Sequence, residues 1–67
     1  MADAFIRMLK ERLKELKAAI EEAEKAVEFA KKAGIDVGRQ EVRLMELKRK
    51  YEQYKKALEE VYGEKVE

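Results

Sequence analysis

The sequence predicts an all-α protein, an antiparallel helical hairpin whose two long helices pack as a two-helix coiled coil. Apolar residues recur at alternating spacings of three and four in both halves of the chain, which is the a/d pattern of a heptad repeat. The segment 34–38, with a glycine at each end, separates the two runs. Antiparallel folding would bring the basic block 7–17 beside the acidic block 57–67, and the acidic block 21–28 beside the basic block 43–56.

Helix 1 is predicted to span about residues 4–33. Asp3 is a favourable N-cap residue because its carboxylate can accept hydrogen bonds from free N–H groups of the first turn. Gly34 suits the left-handed position that follows a helix, since glycine lacks a Cβ atom. Lys31 and Lys32 fall in the last turn, where the helix dipole favours cations.

Helix 2 is predicted to span about residues 39–62, after a loop at 34–38. With Gly38 as the N-cap residue, Glu41 occupies the third helical position, as in half of a capping box. Residues 63–67 begin with a glycine and are predicted to form a frayed tail. The whole chain is therefore one helical-hairpin domain.

The predicted intrachain seam contains the a and d residues of both helices. Small side chains near the loop let the helices approach closely, and tyrosines on the facing helix can fill the space opposite them. The seam residues are Ile6, Leu9, Leu13, Leu16, Ile20, Ala23, Val27, Ala30, Leu44, Leu47, Tyr51, Tyr54, Leu58 and Val61.

Further apolar residues fall outside this seam, so a lone hairpin would leave them in water. Such patches usually mark an interaction surface. We expect them to join two hairpins as a homodimer, which gives a four-helix bundle. The alternative is a hairpin that presents one face to a foreign protein. The candidate interface residues are Phe5, Met8, Ala19, Ala26, Phe29, Ala33, Val42, Met45 and Ala57.

The composition argues against catalysis and metal binding. The chain of 67 residues has no Ser, Thr, Cys or His, which are the usual nucleophiles and proton carriers. The lack of thiolate and imidazole ligands also argues against a zinc or di-iron site. We therefore expect no enzyme activity, cofactor, metal ion or small-molecule substrate. Sixteen basic and fifteen acidic residues give a net charge of only +1, so no overall field attracts nucleic acid or a membrane.

Helix 2 is nevertheless locally basic, which leaves weak, backbone-directed nucleic-acid binding as a further alternative. Tyr51 and Tyr54 interleave with the basic residues, although both belong to the predicted seam. The basic residues are Arg39, Arg43, Lys48, Arg49, Lys50, Lys55 and Lys56.

In its content of Lys, Glu, Ala, Leu and Arg, the sequence resembles de novo designed helical hairpins. The heptad pattern on two halves is similar in topology to the Rop family of hairpins, which dimerise into four-helix bundles. A hyperthermophilic origin would produce the same Lys and Glu enrichment, so natural and designed origins both stay open. The N-terminal residues lack a secretory signal, and no apolar run approaches the roughly 20 residues of a membrane span. We expect a soluble, thermostable protein, cytoplasmic if it is natural.

Overall fold

A computed structural model describes residues 2–66 as two α-helices that pack against each other in an antiparallel hairpin. Helix α1 spans Ala2–Ala33 and helix α2 spans Gly38–Tyr62. The hairpin is elongated, with dimensions of 49 × 16 × 16 Å. The predicted all-α hairpin is therefore confirmed.

Helix α1 begins earlier than the sequence suggested. It starts at Ala2, so Asp3 lies inside the first turn and is not the N-cap residue. A carboxylate in the first turn still interacts favourably with the positive end of the helix dipole. Met1 lies outside the described residues.

A Schellman motif ends α1. The N–H of Ile35 donates to the carbonyl oxygen of Ala30 at 2.8 Å, and the N–H of Gly34 donates to that of Lys31 at 3.3 Å. Gly34 has a φ of 74°, a left-handed conformation that favours glycine. The backbone therefore leaves the helix with two of its last carbonyl groups paired.

The start of α2 differs from the predicted capping box. Val37, and not Gly38, occupies the N-cap position, and its side chain makes no capping hydrogen bond. Instead the Oδ1 atom of Asp36 accepts a hydrogen bond of 3.0 Å from the N–H of Gly38. Glu41 donates its own N–H to the carbonyl oxygen of Val37, while its carboxylate lies 3.8 Å from the Nζ atom of Lys31. Glu41 of α2 and Lys31 of α1 thus form an ion pair between the two helices near the loop.

Gly63 ends α2 with a φ of 68°, and its N–H donates to the carbonyl oxygen of Glu59 at 3.0 Å. We predicted a frayed tail at 63–67, whereas the structure places Glu64 against α1, 2.6 Å from the Nζ atom of Lys10. The N–H of Val66 also approaches a carboxylate oxygen of Glu59 at 3.5 Å. Glu67 lies outside the described residues.

The core follows the heptad pattern of α1 along its whole length. The remaining seam residues of α1 are half-buried. In α2 the seam residues Leu44, Leu47 and Tyr51 are half-buried, and Leu58 is the most buried side chain, at 2% exposure. The buried residues of the described chain are Leu13, Leu16, Val27, Ala30 and Leu58.

Two seam predictions in α2 need correction. Val61 is 71% exposed, whereas its neighbour Tyr62 is 38% exposed. Tyr54 is 36% exposed and lies at the margin of the core, whereas its neighbour Lys55 is half-buried. A straight helix has 3.6 residues per turn, so a strict 3.5-residue seam drifts by about 20° per heptad. Beyond Tyr51, Lys55 and Tyr62 replace Tyr54 and Val61 on the side of α2 that faces α1, while Leu58 keeps its predicted place. Lys55 is half-buried, which a lysine can accommodate because its aliphatic stem packs on apolar surface while the ammonium group stays in water.

Candidate association surface

One edge of the hairpin carries the ion pairs that link the helices. Glu24 and Lys48 approach to 3.6 Å, and Lys31 and Glu41 to 3.8 Å. With the pair between Lys10 and Glu64, they follow the edge from the loop to the chain ends. All six side chains are exposed, so each pair contributes only about 0.2–1 kcal/mol and mainly favours the observed register. We call this the ion-paired edge; it comprises Lys10, Glu24, Lys31, Glu41, Lys48 and Glu64.

The opposite edge has a different composition. At about 100° per residue, Ala26 lies roughly 200° around α1 from Glu24, on the other side of the seam. Two shallow cavities between the helices follow this side, and we call it the apolar edge. The first, the open-end groove, is lined by Phe5, Leu9, Tyr54, Ala57, Leu58, Val61 and Tyr62. The second, the alanine cavity, is lined by Ala19, Glu22, Ala23, Ala26, Gln40 and Arg43.

The open-end groove is an apolar depression of about 340 Å³. The rings of Phe5 and Tyr62 meet edge to face across it, with centroids 6.1 Å apart and an interplanar angle of 64°. Leu58 is buried beneath it and Val61 is exposed beside it. The drift of α2 therefore creates the groove, because it turns Val61 and Tyr54 out of the intrachain seam.

The alanine cavity is about 250 Å³ in volume and lies nearer the loop. Its small side chains leave the backbone of α1 open to close approach by another helix. The Oε1 atom of Gln40 is buried and has no hydrogen-bond partner among the described residues. An unpaired buried acceptor usually costs about 1–3 kcal/mol, so this oxygen destabilises the single hairpin.

Helix α1 carries a second stripe beside this edge, which we call the outer stripe. Its residues occupy about a third of the helix circumference and repeat at alternating spacings of three and four. Phe29, near its loop end, is 69% exposed. The outer stripe consists of Phe5, Met8, Arg12, Glu15, Ala19, Glu22, Ala26, Phe29 and Ala33.

The structure divides the predicted interface residues into two groups. Seven lie on the apolar edge or the outer stripe, namely Phe5, Met8, Ala19, Ala26, Phe29, Ala33 and Ala57. The other two, Val42 and Met45, are exposed on α2 and lie away from both helix edges that border the cavities. Val42 lies about 200° around α2 from the half-buried Gln40. One flat contact cannot cover both groups.

The structure also shows a groove that sequence reasoning did not identify. It has a volume of about 370 Å³, and Lys10, Lys14, Lys17 and Lys65 surround the ring of Tyr51 and the side chains of Leu13 and Val66. The spacing of the three α1 lysines signals a shared face. We had used the basic block 7–17 only to predict the register of the helices.

The basic residues predicted for nucleic-acid binding do not gather around exposed rings. Lys48 pairs with Glu24, and the half-buried Lys55 lies along the seam. Tyr51 is half-buried between the helices, and Tyr54 lines the open-end groove. Stacking on Tyr51 would therefore compete with packing inside the hairpin, and stacking on Tyr54 would compete with the proposed association.

No family model, curated protein or solved structure matches this chain. The two-helix architecture implied by the resemblance to designed hairpins is present, but no relative or motif supports a designed or Rop-like protein. Within residues 2–66, neither helix carries an apolar stretch long enough to cross a lipid bilayer. In the same range, no three His, Cys, Asp or Glu side chains are grouped to hold a metal ion. The contacts of the chain itself therefore carry the functional argument.

Proposed function

We propose that this chain is a self-association module whose apolar edge packs against the same edge of a second copy to form a four-helix bundle. The observation that carries the proposal is the contrast between the two edges. Ion pairs between the helices occupy one edge. The other edge presents aromatic and small apolar side chains around two cavities, although Glu22, Gln40 and Arg43 also line the alanine cavity. Association through the ion-paired edge would desolvate charged groups, which costs several kcal/mol per ion.

The small core of a single hairpin supports the same proposal. The described chain buries five apolar side chains, and chains of this length bury only about 60% of their unfolded surface. Small domains without disulfides or metals gain stability by oligomerisation. A second hairpin on the apolar edge would cover Phe5, Ala26 and Phe29, which are exposed in the single chain. Val42 and Met45 would stay outside that contact.

The test is the molar mass of the purified chain over a concentration series, measured by light scattering after size exclusion. We expect about twice the single-chain mass of 7.9 kDa. Ala26→Glu should give single chains, because it brings an unpaired carboxylate into the contact twice per dimer, at a cost of several kcal/mol. Ala18→Glu is the matched control, since Ala18 is exposed on the far side of α1 from the seam.

Two results would contradict the proposal. A dimeric Ala26→Glu variant would exclude the apolar edge as the contact. A wild-type chain that stays single at millimolar concentration would exclude self-association and would favour the alternative, a hairpin that presents this edge to a foreign protein. The same substitution then supplies the variant with which binding of any foreign partner is compared.

A further inference from the structure

The outer stripe of α1 has the pattern of a second coiled-coil seam. Its alternating spacings of three and four run from Phe5 to Ala33. Two helices that supercoil gently around each other can follow such a repeat along its whole length. Large apolar side chains stand toward both ends and alanines between them. Three charged residues lie within the stripe: Arg12, Glu15 beside it, and Glu22. Arg12 follows Phe5 by seven positions, and Glu22 precedes Phe29 by seven.

Resting on the self-association proposed above, we infer that the outer stripe packs against the outer stripe of a second copy with the two α1 helices antiparallel. In this arrangement Arg12 of each copy pairs with Glu22 of the other. The two-fold symmetry of such a dimer produces each contact twice.

The apolar residues support one register. When Phe5 is set opposite Phe29 of the second copy, antiparallel helices place Met8 opposite Ala26. The same register brings Arg12 opposite Glu22 without any further adjustment. Aromatic side chains thus meet at both ends, and a large side chain faces a small one beside them, which is how facing layers interdigitate.

The charges exclude the parallel alternative. In register, parallel α1 helices would set Arg12 against Arg12 and Glu22 against Glu22, and like charges facing each other across an interface are strongly unfavourable. Within one hairpin, Arg12 lies 3.5 Å from Glu15 at exposed positions. Glu22 has no ion-pair partner among the described residues, so it is available to the second copy.

The area needed for a stable dimer requires contact along the whole length of the hairpin. The entire side face of a hairpin 49 Å long and 16 Å wide is about 800 Å², and the outer stripe of α1 occupies part of it beside the apolar edge. Standard protein interfaces bury about 800 Å² per partner. An association confined to either cavity alone would fall well below that area.

The experiment exchanges the two charges between chains. Arg12→Glu and Glu22→Arg should each weaken the dimer by roughly tenfold, because each places two like-charged contacts across the interface. When the two variants are mixed, both contacts become Glu opposite Arg, so the mixed dimer should form in preference to either parent. Native mass spectrometry separates the three dimers by mass.

A control removes the effect of net charge. Lys25→Glu and Glu11→Arg change the net charge of each chain in the same way, but both positions are exposed and lie outside the outer stripe. Mixing this second pair should give near-statistical dimers. Selective pairing in the control as strong as in the test pair would show that net charge alone is responsible and would overturn the inference.

The outcomes also separate this inference from the function on which it rests. If all variants stay dimeric and the Arg12 and Glu22 variants show no preference for each other, the antiparallel register is wrong while self-association stands. If the wild-type chain is a single chain at every concentration, self-association fails and the register fails with it. A mixed dimer in strong excess over the control, together with the weakening of each variant on its own, supports both. A parallel pair would also favour the mixed dimer, but neither substitution alone would weaken it, because its wild-type contacts already place like charges opposite each other.

Discussion

The structure places Tyr62, and not Val61, on the side of α2 that faces α1. This placement can be tested by shortening two apolar side chains of α2, one buried and one exposed. Leu58→Ala removes three carbon groups from the most buried side chain of the hairpin. At about 0.8 kcal/mol per buried methylene, the transfer term alone is about 2.4 kcal/mol. The cavity term should be small because the open-end groove already adjoins the site. We therefore expect a loss of about 2.5–3 kcal/mol, at the lower end of the Leu→Ala range.

Val61→Ala is the matched comparison, since Val61 lies three residues further along α2 and was predicted for the same seam. At 71% exposure it buries less than a third of its surface in the single hairpin. Two carbon groups at that burial contribute only about 0.5 kcal/mol. The structure thus predicts that Leu58→Ala lowers the free energy of unfolding by roughly five times as much as Val61→Ala does, whereas a strict heptad seam would predict similar losses.

Urea unfolding followed by circular dichroism at 222 nm measures both losses, at a protein concentration low enough to keep the chains single. If the slope of the unfolding free energy against urea concentration is unchanged, the substitutions have not altered the denatured state. For a domain this small, 2.5 kcal/mol corresponds to roughly 10–20 °C in melting temperature. Equal losses for the two variants would refute the drift of α2. At higher concentration Val61→Ala should become more damaging, because association is proposed to cover the groove.

Two further predictions concern the loop and the ion-paired edge. Gly34→Ala should lower the free energy of unfolding in urea by about 1 kcal/mol, because the left-handed φ of 74° disfavours a Cβ atom. Gly38→Ala should be neutral or stabilise the hairpin by up to about 1 kcal/mol, since the added Cβ atom would meet only Asp36, at 3.4 Å. Equal effects of the two substitutions would contradict the loop geometry. A double-mutant cycle on Glu24→Gln and Lys48→Gln should give a coupling of about 0.5 kcal/mol or less at physiological salt, because both side chains are half exposed. A coupling above roughly 2 kcal/mol would mean that this edge is desolvated and therefore part of an interface.

The periodic features of the fold could be predicted from the sequence, and the boundaries less well. Leu13 and Leu58 were placed in the seam because an apolar residue every three or four positions is incompatible with an exposed helix face. The start of α2 was misplaced because Gly38 and Asp36 are both acceptable near a helix start. Which of them acts depends on the loop, where the carboxylate of Asp36 reaches the N–H of Gly38. That distance is not encoded in residue type.

The candidate surface shows a similar division. Phe5 and Ala26 were assigned to an interface because they fall beside the seam in the heptad. Val42 and Met45 were added only because they are apolar, and the structure places them on a different side of α2, where Met45 is 62% exposed. The open-end groove could not be predicted, because it depends on a drift of one residue at the end of α2. A strict heptad assignment conceals such a drift, although comparison with a 3.6-residue period would have suggested it.

The separation of charges onto one edge also limits the size of the assembly. In the proposed dimer the apolar edge of each hairpin packs against the apolar edge of its partner, so neither chain has a free apolar edge left. An isologous contact of this kind is closed and does not add further chains. A third hairpin would have to dock on the ion-paired edge, where Glu24, Lys48 and their neighbours lose hydration, or on the outer surface of α2. The cavity on that surface is lined by charged and polar side chains, namely Arg49, Glu52, Gln53, Lys55, Lys56 and Glu59. Had the ion pairs been divided between the edges, neither side would offer an apolar contact. The arrangement observed therefore favours a closed pair of hairpins over an open chain of them.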